Sequence, residues 1–457
     1  MKTLFRGRTA AAFVCAALLS CPLMRAEGAA GELAGDSVHL TLDKAIEIAL
    51  AENPTIIVAN QQIQLKEIGN KEAWQSLLPS ADLSGTIQYT VLAAEMKLNG
   101  QSFKMGKDDT YTWNGQAQVS LPVFAPTVYA TMNLTRTDLE NAVEQSRSSK
   151  LDLVNQVTKA YYQVILAQDS YEVLQKSYEQ SKRNYELIKN MFDLGSVSEY
   201  DKISSEVQMR GMQPTVISAR NAVNLARLQL KVLMGWTADL DFIIDDSLSN
   251  YESDLAADPL LAEDCSLENN TSLRQLKLSE NMLQQTLKVQ RTNFMPTLAL
   301  VGSYAFQSLY NDNLKLGQYD WGKSSSLVLS LSIPIFRASN FTKMKSTKLQ
   351  ISQLAENRSY TEKQLQMQVR SYIDNMNASS EQVTSNREAV AQAQKGYDIA
   401  KKRYEIGGGT ILELNNSEIS VVSAQLTYSQ SIYDYLAAKA DLDKVLGNDD
   451  IIVKNEK

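Results

Sequence analysis

The chain has 457 residues, with 45 Lys and Arg against 52 Asp and Glu and a formal net charge of −7 at pH 7. Because no basic stripe or block is present to neutralise phosphates, we expect no nucleic acid among its partners. His39 is the single histidine, the sequence has no His and Cys cluster, and no Gly-rich phosphate loop joins a strand to a helix, so we expect no catalytic site, metal or cofactor.

The N-terminal segment has the plan of a secretory signal peptide: three basic residues, an apolar run over 10–19 and small residues near position 28. We therefore expect residues 1–28 to direct export. Leu18-Leu19-Ser20-Cys21 loosely matches a lipobox, in which Cys21 would be lipidated, but we favour ordinary cleavage near Gly28 or Ala30. Beyond this segment Cys265 is the only cysteine, and no apolar run of about 18 residues predicts a transmembrane helix.

The first elements after the leader are a helix over 42–78 and a β-hairpin. Thr41 and Asp43 are the signals for the start of this helix. Apolar and polar residues alternate through the hairpin, about 81–124, on either side of a polar loop over 93–110. The same alternation predicts a second hairpin, about 297–336, with a loop over 309–323. Proline lacks a backbone N–H and interrupts either ladder, so four prolines mark the helix–strand junctions: Pro79, Pro122, Pro296 and Pro334.

A long helix follows each hairpin, predicted over 127–194 and about 340–406. The first contains no Gly or Pro, and from Leu153 to Phe192 its apolar residues alternate in steps of four and three, with Ser181 the only polar member. A seven-residue repeat held over more than five heptads predicts a coiled-coil helix, about 100 Å long for the whole run. The molecule is therefore expected to be extended.

A short turn ends each long helix and a second helix returns from it. Gly195 and Gly407 are suited to the left-handed conformation that ends a helix. A serine or threonine followed three residues later by Asp201 or Glu413 has the spacing of a capping box. The predicted turns are 195–198 and 407–410, and the returning helices are 199–234 and 411–446.

The order helix, hairpin, long helix, turn and helix occurs twice, and short motifs recur at a spacing of 212 residues. The first unit is 41–235 and the second is 269–447, joined by an acidic connector over 236–268 and followed by a tail over 448–457. The recurring pairs are Leu121-Pro122-Val123-Phe124 with Ile333-Pro334-Ile335-Phe336, Gly195 with Gly407, and Leu233-Met234-Gly235 with Val445-Leu446-Gly447. We also match Glu52-Asn53 with Glu268-Asn269 and Leu78-Pro79 with Met295-Pro296.

The two hairpins match transmembrane β-barrel strands, since each strand of about ten residues has an apolar face with aromatic residues and a polar face. A hairpin half-buried on a soluble core is the alternative. In lipid every backbone polar group must be paired, so an open four-stranded sheet would have to be shared between chains. Two copies would give eight strands and three would give twelve. The polar lumen residues favour the wider barrel, and hence a homotrimer.

These features resemble the TolC-like outer-membrane efflux protein (outer membrane factor) family over essentially the whole mature chain. The resemblance rests on paired long helices with inserted hairpins, the two Pro-x-Phe junctions, and the turn Arg403-Tyr404-Glu405-Ile406-Gly407 followed by Thr410-Ile411-Leu412-Glu413-Leu414. It implies a mainly α fold in which a trimeric α-helical barrel is continuous with a shared 12-stranded transmembrane β-barrel. It places the protein in the outer membrane of a Gram-negative-type envelope, in contact with lipid, with a long periplasmic portion and the connector around its waist.

The resemblance also implies an export duct, gated at its periplasmic end, of a tripartite efflux or type I secretion system. Its partners would be a periplasmic adaptor (membrane fusion protein) and an inner-membrane transporter. Asn416 and Gly409 depart from the charged pattern of the family, and for Glu413 helix capping alone is an equal alternative. The resemblance assigns the gate to Tyr404, Glu413 and Asn416, and adaptor docking to Leu194, Gly195, Ser196, Ile406 and Gly407.

Two other functions are compatible with parts of the pattern. A trimeric coiled coil anchored by strands could be a structural or adhesive stalk, but such an anchor needs strands at one terminus only. A passive porin would not need helices of about 100 Å. The sequence does not predict the exported substrate, the particular adaptor or the particular pump.

Overall fold

The computed structural model describes residues 38–98, 101–237, 241–256, 265–315, 317 and 319–449. The expected signal peptide, including Cys21, lies outside these residues, and so does the part of the tail after residue 449. Among the described helices, none combines the length and apolarity that a membrane crossing requires.

The first unit and the second unit repeat one order of elements. Strand β1 (Val38–His39) precedes the first unit, which contains α1 (Leu42–Glu52), α2 (Pro54–Gln75), β2 (Ser80–Thr90), β3 (Ala94–Leu98), β4 (Gln101–Met105), β5 (Thr110–Phe124), α3 (Pro126–Asp193) and α4 (Glu199–Leu233). The connector contributes β6 (Phe242–Ile243) and a 3₁₀ helix (Leu248–Ala256). The second contains α5 (Thr271–Thr292), β7 (Thr297–Asn311), β8 (Gly322–Ser332), α6 (Ala338–Glu405) and α7 (Ile411–Leu446).

The long helices α3 and α6 have 68 residues each. Each is therefore about 100 Å long. Their first residues are 212 positions apart in the sequence, and so are their last residues. Helix α3 packs along α4 and α6 packs along α7, which gives two antiparallel helical hairpins. Helix α3 also contacts α1, α2, α5 and α7, so it joins the two units. The main apolar core lies where α1, α3, α4, α6, α7 and the connector meet.

The single helix expected over 42–78 is wrong, because the chain breaks at Asn53 and forms α1 and α2. Pro54 occupies the first turn of α2, where its missing N–H costs nothing, and the Asn53 side chain accepts a hydrogen bond from the Thr55 N–H (2.8 Å). The corresponding residue of the second unit is Asn270, which caps α5. The match of Asn53 with Asn269 was therefore wrong by one residue.

Asn53 and Asn270 also bind the other end of their own unit. Their Nδ2 atoms donate to the backbone carbonyls of Leu233 and Val445, at 2.7 Å in both cases, and both asparagines are buried. Each side chain thus satisfies a helix start with its oxygen and the end of a returning helix with its nitrogen.

Replacing Asn270 with alanine is expected to destabilise the protein by about 2 kcal/mol, since a cap and a buried hydrogen bond are lost together. Serine at this position retains a capping oxygen but does not reach the Val445 carbonyl, so Asn270→Ser should lie between alanine and the native protein. Thermal unfolding of the purified variants gives the order. Equal midpoints for all three would contradict the double role.

The four long strands form one antiparallel sheet in the order β2-β5-β7-β8, so the hairpins of the two units lie side by side. The register places Leu121 opposite Leu300, and Leu300 opposite Leu329. Residues directly opposite each other share a face. The apolar faces predicted for the separate strands are therefore one continuous face. On the other face Ser303 and Ser326 are within hydrogen-bond distance (2.8 Å).

The loops and junctions of this sheet differ from the sequence prediction in three places. The polar loop expected over 93–110 contains the small hairpin β3–β4, and β7 extends to Asn311 inside the loop expected over 309–323. Pro122 lies within β5, at a register shift before Phe124, rather than at its end. Pro79 and Pro296 directly precede β2 and β7, and Pro334 lies between β8 and α6.

The described part of the connector packs against the long helices. Phe242 is fully buried, and β6 pairs with β1 in parallel. Asp246 accepts hydrogen bonds from the hydroxyls of Tyr161 (2.9 Å) and Tyr251 (3.0 Å), and burial together with this carboxylate raises the pKa of both tyrosines. Asp246 therefore joins the connector to α3 through Tyr161.

Candidate gating and docking site

The two helical hairpins turn with the same backbone geometry. Gly195 has φ +73° and Gly407 has φ +75°, the left-handed region that glycine adopts without a steric penalty. The N–H of the residue after each glycine donates to the carbonyl of Met191 or Arg403, at 2.8 Å in both turns. This is the Schellman motif, so sequence and structure agree on what ends each long helix.

The caps of the returning helices differ between the two turns. Ser198 accepts a hydrogen bond from the Asp201 N–H (3.2 Å), and Thr410 accepts one from the Glu413 N–H (3.2 Å). Only the second turn has the reciprocal contact, in which the Glu413 carboxylate accepts from the Thr410 N–H (3.5 Å). The full capping box expected at Ser198 and Asp201 is therefore a one-sided cap.

The residues predicted to dock an adaptor lie at the outer ends of the hairpins. Leu194 and Ile406, at matching positions of the two units, expose 82% and 83% of their surface. Asn415 donates to Ser204 (3.5 Å), so α4 and α7 meet close to these ends. All five residues predicted to dock an adaptor are exposed, and we call them the tip surface: Leu194, Gly195, Ser196, Ile406 and Gly407.

The three predicted gate residues do not form one cluster within the chain. Glu413 and Asn416 are exposed, whereas Tyr404 is buried. The Tyr404 ring lies in an apolar cluster drawn from α3, α6 and α7, and burial with the nearby Asp201 carboxylate raises its pKa to about 12. We call this the Tyr404 cluster: Ile188, Tyr397, Tyr404, Ile411 and Leu414. It holds one helical hairpin against the other.

Arg403 is a part of this site to which sequence reasoning gave no role. Its guanidinium donates to the Gly408 carbonyl (3.0 Å) and lies 3.7 Å from the Glu413 carboxylate. Glu413 therefore combines the capping role with an ion pair. Both side chains are about half exposed, so this pair contributes well under 1 kcal/mol.

A second residue that the sequence did not reveal is Glu418, on α7 one turn beyond Leu414. Its carboxylate is buried and accepts hydrogen bonds from Ser181 (2.5 Å), Ser177 (3.3 Å) and Asn184 (3.4 Å), all on α3. Burial raises its pKa, and the three donors oppose that rise. The one polar residue in the heptad seam of α3, Ser181, was the available signal.

The described residues thus form two helical hairpins whose long helices measure about 100 Å, joined to an amphipathic sheet with β2 and β8 as its edge strands. The chain belongs to the outer membrane efflux protein family, whose family model matches residues 45–236 and 264–448. It is therefore an outer-membrane channel protein and not an enzyme.

Individual relatives are distant in sequence and similar in fold. The outer membrane protein TolC of Escherichia coli is 23% identical over 389 residues, which cover 82% of this chain and 76% of TolC. The alkaline protease secretion protein AprF of Pseudomonas aeruginosa is 22% identical, over 65% of this chain and 62% of AprF. The outer membrane channel CmeC of Campylobacter jejuni superimposes with a TM-score of 0.68 at 17% identity, covering 93% and 94% of the two chains.

Proposed function

We propose that the protein is the outer-membrane export duct of a tripartite efflux or type I secretion system: a homotrimer, gated at its periplasmic end, that works with an adaptor and an inner-membrane transporter. The observation that carries the proposal is the sheet. Its edges, β2 and β8, are strands of 11 residues each, and its apolar face is continuous. In lipid both edges need partners, and three copies joined β8 to β2 make a closed barrel of twelve strands.

The helices support the same assembly. Helix α4 exposes a stripe of apolar residues that repeats at helical spacing. Such a stripe is stable in water when a neighbouring helix covers it, and a second and third copy of the chain supply that helix. The stripe consists of Tyr200, Ile203, Val207, Ile217, Leu225, Leu228 and Val232.

Both secretion and efflux are represented among the proteins that this chain resembles. AprF is named for secretion of an alkaline protease, whereas the name of the family refers to efflux. A duct serves either purpose because the partner in the inner membrane supplies the energy and selects the cargo. A stalk would not require the apolar sheet to be built from both units, and a porin would not require the long helices.

Replacing Gly407 with proline is expected to abolish coupling to the adaptor while trimers still reach the membrane. Proline cannot adopt φ +75°. It also lacks the N–H with which Gly407 donates a hydrogen bond to the backbone carbonyl of Tyr404 (3.0 Å), so the tip surface changes shape. Gly195→Pro should act in the same way. Export assays and adaptor pull-down measure the effect.

The matched control is Gly407→Asn, because asparagine tolerates the left-handed conformation. It should export at close to the native rate. Normal export by Gly407→Pro would remove the tip surface from adaptor docking.

Replacing Tyr404 and Glu413 together with alanine is expected to raise the passive conductance of purified trimers. Loss of a buried aromatic ring costs about 3–5 kcal/mol of packing, here between the two hairpins. Loss of the Glu413 side chain removes the reciprocal half of the capping box and the ion pair with Arg403. Single-channel recording measures the change. Tyr360→Ala, which removes an exposed ring from the same helix, is the control. Unchanged conductance in the double variant would exclude both residues from the gate.

A further inference from the structure

The buried Glu418 carboxylate is the feature that the proposed duct does not yet use. It lies in the seam of α7, where Ile411, Leu414 and Val421 occupy the neighbouring heptad positions. A carboxylate in an apolar seam is costly unless it has partners. Its partner is Ser181, the only polar member of the α3 seam, so two polar residues from different hairpins face each other at one level.

The surroundings of Glu418 are neutral at the contact and charged only further away. From α3 come Ser177, Ser181 and Asn184, and the Met212 sulfur on α4 lies 3.2 Å from the Ser181 hydroxyl. From α6 comes the buried Tyr397. Glu418 borders a cavity of about 330 Å³, which Lys176 and Arg183 of α3 also line. Lys176 pairs with Glu172, and Arg183 donates a hydrogen bond to Gln180. Within the described part of the chain Glu418 has no ion pair.

We propose that Glu418, with Ser177 and Ser181, is a proton-dependent clasp between the two helical hairpins: protonated, it keeps them packed, and ionised, it lets them separate. The clasp lies close to the Tyr404 cluster, and the claim that separation opens an entrance rests on the proposed export function. A protonated carboxyl donates its hydrogen to a serine hydroxyl and buries no charge. An ionised carboxylate has to be held by three neutral donors in an apolar seam.

The direction of the pH effect follows from the change in environment. In the packed state burial raises the pKa of Glu418, and in the separated state water restores the ordinary value. The packed state therefore binds the proton more tightly. Its extra stability is complete below the ordinary carboxyl pKa and is lost as the pH rises through the raised pKa. Acid should favour the packed hairpins and neutral pH their separation.

The matching residue of the first unit shows that this environment is specific to α7. Glu206, 212 residues before Glu418, lies at a partly exposed position and accepts a hydrogen bond from Arg210 (2.8 Å) on its own helix. Its carboxylate is already solvated and paired. Glu206→Gln is therefore a matched control, which changes the same chemical group at the equivalent position of the repeat.

The test measures the distance between the hairpin tips in the full-length protein. Spin labels at Leu194→Cys and Ile406→Cys, one on each turn, are introduced with Cys265→Ser and diluted with unlabelled chain, and double electron–electron resonance is recorded at about pH 5 and about pH 8. The distance distribution should shift to longer values at the higher pH. Glu418→Gln should keep the short distance at both pH values, and Glu206→Gln should behave like the parent.

A second variant moves the transition without removing the carboxylate. Ser181→Ala deletes the shortest donor to the ionised form, so the midpoint of the distance change should move to higher pH. A parent protein with no pH-dependent distance, or a Glu418→Gln variant that retains the full shift, would overturn the clasp. Bilayer recordings separate this outcome from failure of the export function, because a protein without conductance can still show the distance change.

Discussion

Leu329→Arg is expected to prevent stable insertion of the protein into the outer membrane. Leu329 lies on the continuous apolar face of the sheet, opposite Leu300, and exposes 64% of its surface. An arginine facing lipid near the middle of a barrel costs about 2–4 kcal/mol, and the proposed trimer would carry three of them, so the total is on the order of 6–12 kcal/mol. Membrane fractionation and heat-modifiable migration of the trimer measure the loss.

Ser330→Arg is the matched control for this substitution. Ser330 is the next residue of β8 and lies on the polar face, opposite Ala299. An arginine there faces the proposed lumen, where water solvates it, so the variant should insert normally and change only ion selectivity. Equal insertion of both variants would contradict the assignment of the apolar face to lipid.

Gly447→Ala is expected to have the largest effect on stability among substitutions of the left-handed glycines in the described part of the chain. Gly447 has φ +71°, and a Cβ built there would lie 2.2 Å from the Asn269 carbonyl oxygen. The left-handed conformation alone costs about 1–2 kcal/mol, and displacing the backbone before the Asn270 cap adds to it, for a total of about 3 kcal/mol or more. Gly235, with a Cβ at 2.7 Å from the Glu52 carbonyl oxygen, should behave alike.

A comparison with Gly407 separates the cost of the left-handed conformation from the cost of the close approach to Asn269. Gly407 has nearly the same φ, +75°, but a Cβ there would meet nothing within 4 Å. Gly407→Ala should therefore cost only the conformational part, about 1–2 kcal/mol. Apparent Tm values of the purified variants in detergent give the comparison. A drop in Tm no larger for Gly447→Ala than for Gly407→Ala would show that the close approach to Asn269 is relieved at no cost.

Local signals in the sequence were sufficient for the long helices, the turns and the sheet faces. The Schellman glycines and the cap at Thr410 act within one turn of helix, so their spacing alone predicts their geometry. The period-two alternation predicts which residues share a face, and the register of β5 with β7 joins those faces as expected. The 212-residue repeat predicted that α3 and α6 begin and end at corresponding positions, as they do.

The features that were missed depend on residues distant in the chain. Asn53 breaks the first helix where its side chain also reaches the Leu233 carbonyl, 180 residues away, and the propensity of its neighbours gives no sign of that contact. Glu418 reads as one more polar residue of a helix until Ser181 is placed opposite it. The resemblance assigned Tyr404 to the periplasmic gate, and only the packing of the hairpins reveals that its ring is buried between them.

In the proposed assembly, three copies of this chain enclose a gated export duct. Single-channel conductance of the purified protein in a planar bilayer, with and without a candidate adaptor, tests it most directly. A trimer shown to be inserted should give small, flickering openings that widen when the adaptor is added. No conductance in either condition, from protein shown to be trimeric and inserted, would contradict the duct and favour a structural stalk.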